Sequence, residues 1–125
     1  MMDLSQSQTT QVKQILKTQV RLGVEIEKHR VDQDNYLSQR KFPTKLSRSV
    51  SQYIQREFCE AQMEFAFPPY HDPENNIVLI ETVLSRTAEQ LEDSELLWSY
   101  SMPPLLPEDL TQIPISTLPV ETQEY

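Results

Sequence analysis

Glycine occurs once in these 125 residues, cysteine once, tryptophan once and histidine twice. Phosphate-cradling loops, dinucleotide turns and nucleophile elbows each need several glycines, so those chemistries are excluded. The same shortage counts against a hairpin-rich β fold, because tight hairpin turns favour glycine. The lone Cys59 cannot close an intrachain disulfide, which suits a reducing compartment. The opening "MMDLSQSQTT" has no basic stretch followed by an apolar run, so it does not read as a secretory signal. No segment approaches the roughly 20 apolar residues of a membrane helix. The expectation is an intracellular protein, nuclear or cytoplasmic, with no membrane contact. The two histidines lie in separate segments and no carboxylates form a recognisable acid–base pair. His71–Asp72 reads as a helix start rather than a metal pair, and acidic neighbours disfavour the Cys59 thiolate. No catalytic residue, metal or cofactor is therefore expected, and the chain does not read as an enzyme.

What is present is a strong polarity of charge. Residues 1–56 carry ten Lys/Arg against five acids, and residues 57–125 carry one against fourteen. Such halves can pack on each other or steer oppositely charged partners. Helical periodicity predicts an all-α domain of three main helices, at about 10–40, 44–65 and 73–100. Ser5, Ser7 or Thr9 can cap the first. Its apolar residues form two stripes, Val12, Ile15, Leu22 and Ile26 beside Leu16, Val20 and Val24, with Gly23 offering a bend or close approach. The second places Leu46, Val50, Tyr53, Ile54, Phe58, Ala61 and Phe65 on one face. Glu57 and Glu64 fall inside that face, where carboxylates need partners or the edge of an interface. Asp72, Pro73 and Glu74 form a capped start for the third helix, which carries Ile77, Ile80, Val83, Leu84, Ala88, Leu91 and Trp98.

The helical domain is expected over 1–101, followed by an extended arm at 102–125. Pro103, Pro104, Pro107, Pro114 and Pro119 keep this arm out of helix. Leu105, Leu106, Leu110, Ile113, Ile115 and Leu118 are its candidate partner-binding residues, seated in a groove of another protein or, as the alternative, in a groove of its own domain. Lys13, Lys17, Arg21 and Lys28 form a basic ridge on the first helix that could track phosphates. Ser/Thr followed by Gln occurs eight times, where 20 Ser/Thr and 13 Gln in 125 residues give about two by chance. This dipeptide is the minimal target of DNA-damage checkpoint kinases, which makes Ser5, Ser7 and Thr10 candidate phosphosites near a helix N-terminus. Taken together these features predict a noncatalytic small subunit or adaptor in a hetero-oligomeric protein assembly. A nucleic-acid-associated factor using the basic helix is the alternative, and a viral or phage protein that blocks a host partner is the third reading.

Overall fold

Between Leu22 and Val31 the side chains alternate rather than follow a helical stripe: Val24, Ile26, Lys28 and Arg30 against Glu25, Glu27 and His29. The computed structural model describes residues 5–117, and there this stretch is strand β1 (Leu22–Val31). The helix before it, α1 (Gln6–Gln19), ends as Val20 turns extended. The long first helix, and with it the all-α fold, is thereby overturned. Val24 and Ile26 pack against the buried core from alternate positions of β1. Each of the two stripes joins residues of α1 to residues of the strand that follows it.

The second expected helix is also replaced. Only α2 (Arg48–Ser51) is helical, and the chain then forms strands β2 (Ile54–Arg56) and β3 (Gln62–Tyr70). Ala61, Met63 and Phe65 are wholly buried and Phe67 nearly so, while Gln62, Glu64 and Ala66 between them are half-buried. A helix through these residues would hide fewer of the large side chains. The pleat hides every second one, and burial of each contributes about 1.5–3 kcal/mol. Pro68 and Pro69 sit at the end of β3, past the residues paired with β2 and beside a register shift in the pairing with β1.

The third helix begins at its capped start. The Asp72 side chain accepts a hydrogen bond from the Glu74 N–H (3.0 Å) and Pro73 opens α3 (Pro73–Gln90). It stops at Gln90 rather than near residue 100, and the chain turns into the two-residue strand β4 (Leu96–Leu97). The four strands form one antiparallel sheet in the order β2-β3-β1-β4. α3 covers one face through Leu79, Ile80, Val83 and Leu84, which meet Val50, Met63, Phe65 and Phe67. The opposite face presents Glu25, Glu27, His29, Gln62 and Glu64.

Arg30 ties this body together from a fully buried position. Its guanidinium pairs with Glu95 and points at the carbonyls of Arg40 (2.9 Å), Lys41 (3.1 Å) and Glu60 (2.7 Å). Ser38 Oγ donates a further hydrogen bond to Glu95 (2.6 Å). Burial lowers the Arg30 pKa, and the negative charges of Glu95 and Glu60 oppose that shift. The last described stretch, 102–117, is extended except for a single 3-10 turn at Leu110–Gln112. Its backbone bonds to its own domain: Leu37 N–H donates to Leu105 O (2.8 Å), Leu105 N–H to Asn35 O (3.0 Å), Glu60 N–H to Pro114 O (2.9 Å) and Ser116 N–H to Phe58 O (2.8 Å).

Candidate metal centre

The pairing of β1 with β3 sets Glu27 directly opposite Glu64 on the face that α3 does not cover. Glu57 reaches the same spot from the connection between β2 and β3. One oxygen from each of the three carboxylates lies within 4.8 Å of the others. Gln62 Nε2 donates to Glu27 Oε2 (2.7 Å) and orients that carboxylate. Glu25, two residues along β1, adds negative charge on the same face.

Three carboxylates at this spacing repel one another when ionised. The Glu64 pKa is raised, first by its hydrogen bond with the Glu57 side chain, then by burial, then by the charges of Glu57, Glu25 and Glu27. A proton shared between Glu57 and Glu64 is one way to relieve the repulsion. A divalent cation is the other. The donor set is all carboxylate oxygen with no thiolate, which fits hard cations such as Mg²⁺, Mn²⁺ or Ca²⁺. His29 stands on the same face, its pKa lowered by burial and partly restored by Glu27.

This centre was not anticipated. The expectation of no metal rested on the two separated histidines, while the carboxylates that cluster come from two strands and a loop. The available signal was Glu25 and Glu27 alternating with apolar Val24 and Ile26, together with the acids Glu57 and Glu64 in an otherwise apolar pattern.

The anticipated site residues are placed elsewhere. Lys13 and Lys17 are exposed on α1, but Arg21 lies past the end of that helix, where its Nε–H donates to His71 Nε2 (3.1 Å). Lys28 is on β1, in a groove with Leu84, Ser85 and Ala88 of α3. The helix ends before the ridge can form, so these four cations are not brought into one line. Ser5 caps α1, accepting from Gln8 N–H (3.3 Å), while Thr10 Oγ donates to Gln6 O (2.9 Å) and Ser7 is exposed. In the arm, Leu105, Leu106, Leu110 and Ile115 expose their side chains and Ile113 is half-buried; Leu118 lies outside the described residues.

Comparison with known proteins identifies what surrounds this geometry. The family model for glutamate-cysteine ligase matches residues 4–123. A glutamate–cysteine ligase from Leptospira interrogans is 39% identical over 94 residues, covering 74% of this chain and 18% of that protein. A bifunctional glutathione biosynthesis protein from Streptococcus mutans is 32% identical over 97 residues, covering 76% of this chain and 13% of that one. Among solved structures, a bifunctional glutathione synthetase from Pasteurella multocida superposes with a TM-score of 0.71 at 26% identity, over 84% of this chain and 14% of that chain. A glutamate–cysteine ligase from Francisella tularensis, in complex with AMP, shares the fold with a TM-score of 0.63 at 22% identity, over 73% of this chain and 18% of that chain. The chain thus spans less than a fifth of the length of these relatives.

These matches overturn the noncatalytic adaptor, and with it the nucleic-acid and host-blocking readings and the expectation that no enzyme is involved. Local motifs give no sign of these acids, because strand pairing and the β2–β3 connection bring them together from separate parts of the chain. The match over residues 4–123 and the identity to the Leptospira interrogans ligase lead to one statement: the chain belongs to the glutamate–cysteine ligase family.

Proposed function

We propose that this chain supplies the carboxylate wall of an active site that joins glutamate to cysteine, with Glu27, Glu57 and Glu64 holding a divalent cation and Glu25 adding charge beside it. The observation that carries the reading is the cluster of three carboxylates on the uncovered sheet face of a chain related to such ligases. Forming an amide from a carboxylate and an amine in water requires the carboxylate to be activated. A cation bound here supplies charge neutralisation, for which phosphate oxygens of a nucleotide are a fitting ligand class. The AMP in the Francisella tularensis structure agrees with that class. The chain's own residues divide the work. The β1–β3 register holds Glu27 against Glu64, Gln62 orients Glu27, and the open face leaves the oxygens accessible. The exposed apolar residues of α1 (Val12, Ile15 and Leu16) and of the arm are read as surfaces that the remainder of a ligase fold covers. An intracellular setting belongs to the same proposal.

The test has two parts. Titration of the chain with Mn²⁺, followed by the electron spin resonance signal of free ion, is expected to show saturable binding that Glu57→Gln or Glu64→Gln weakens about 10–100-fold. A Leptospira interrogans ligase carrying this chain in place of its matching segment is expected to form the glutamate–cysteine amide. The same chimera with Glu64→Gln is expected to lose that activity. A chimera that works equally well without the Glu64 carboxylate sinks the reading.

A further inference from the structure

Glu27 and Glu64 are held by the sheet itself, but Glu57 is not. It follows the three-residue β2 and stands in a connection to β3 that contains no glycine and must carry a negative charge toward two others. Where the carboxylates are ionised their repulsion opposes this placement, and the connection is held by contacts on two sides. From inside, the Glu60 carbonyl accepts from Arg30 (2.7 Å) and the Glu60 carboxylate accepts from Phe42 N–H (2.5 Å). From outside, residues 114–116 lie antiparallel along residues 58–60, with Cys59 opposite Ile115. Two backbone hydrogen bonds make this clasp: Glu60 N–H to Pro114 O (2.9 Å) and Ser116 N–H to Phe58 O (2.8 Å). Phe58 directly follows Glu57, so the second bond acts on the neighbour of the third carboxylate.

We infer that the segment 114–116 is a positioning strap that keeps Glu57 within reach of Glu27 and Glu64, with Ser116 as its positioning residue. The inference rests on the cation reading of the same cluster. Ser116 works through its backbone N–H; its buried hydroxyl has no hydrogen-bond partner among the described residues. Ile115 sits in the non-hydrogen-bonded position of the bridge and its side chain is largely exposed. Neighbouring positions of the same strap therefore separate removal of the bond from the mere insertion of proline.

The experiment compares the full chain with Ser116→Pro, Ser116→Ala and Ile115→Pro. Mn²⁺ affinity, thermal unfolding and hydrogen exchange of the amides at 57–60 are measured on each. Ser116→Pro deletes the N–H and is expected to weaken Mn²⁺ binding about tenfold or more, in the range that supporting contacts to ligands carry. It is also expected to speed exchange at 57–60. Ser116→Ala keeps the N–H and Ile115→Pro removes no bond of the clasp, so both are expected to stay within about twofold of the parent. If Ser116→Pro does not fold, the full chain with an ester in place of the 115–116 amide, which removes only the Ser116 N–H, carries the same comparison. Parent-like Mn²⁺ affinity in a folded Ser116→Pro chain overturns the strap. Absence of saturable Mn²⁺ binding in the parent overturns the cation reading instead. In that case the strap stands if exchange at 57–60 is faster in Ser116→Pro than in Ser116→Ala, and falls if the two are alike.

Discussion

The two faces of the sheet are made from alternate residues of the same strands, yet they carry opposite duties. On one face Met63 and Phe65 are fully buried under α3, with Val24 and Ile26 beside them. On the other, Glu25, Glu27 and Glu64 crowd together with Glu57. The first face gains free energy by excluding water. The second face gathers negative charge that opposes folding until a proton or cation neutralises it. One strand can therefore serve stability and chemistry together, because successive side chains point to opposite sides.

The largest effects are expected on the covered side. Phe65→Ala removes a fully buried ring and is expected to cost about 3–5 kcal/mol, read from denaturant unfolding. Glu95→Ala leaves the Arg30 guanidinium buried without its carboxylate and is expected to cost a similar 3–5 kcal/mol or so. A near-parent midpoint for either variant would break the assignment of that face to stability.

On the acidic side the sign reverses. The folded-state pKa of Glu64 is raised, so the folded chain binds more protons than the unfolded one as pH rises through the carboxylate range. Stability contributed by the protonated group is therefore present at low pH and lost as pH rises through the folded value. Glu64→Gln is expected to melt above the parent at neutral pH, with the difference shrinking as pH falls through the raised folded value toward the ordinary glutamate value. Mn²⁺ is expected to raise the parent melting temperature and, at the same concentration, to raise that of Glu64→Gln less. A lower melting temperature for Glu64→Gln at neutral pH would place Glu64 among the stabilising residues and erase the contrast.

The smallest effect is expected at the only glycine. A Cβ on Gly23 would meet Phe67 O at 3.7 Å and Pro69 Cβ at 3.9 Å, which are ordinary contacts, and its φ is not positive. Gly23→Ala is expected to be neutral or to stabilise by up to about 1 kcal/mol through the unfolded chain. The bend or close approach anticipated at this residue is not what the register shift beside it needs.

Legibility followed locality. Asp72, Pro73 and Glu74 announce the start of α3 because a cap is made by neighbours in the chain. Ser5 caps α1 for the same reason, in a reciprocal pair with Gln8. The β2–β3 hairpin was hidden because its connection has no glycine; long-range bonds from Arg30, Phe42 and the strap hold it instead. The helical wheel accepted residues 44–65 because apolar residues three, four and seven apart also include members of an alternating pattern.

The sequence by itself determined the capped helix starts, the proline-extended arm and the charge imbalance between the halves, all of which depend on near neighbours and composition. Tertiary structure alone decided that residues 22–31 leave the helix for a sheet, and that Glu27, Glu57 and Glu64 meet. Strand pairing is a contact between distant segments, so its register cannot be read from either segment alone. Here the register was chosen by burying Met63, Phe65 and Phe67 on one side; the meeting of Glu27 with Glu64 on the other side followed from it, and the β2–β3 connection brought Glu57 to them.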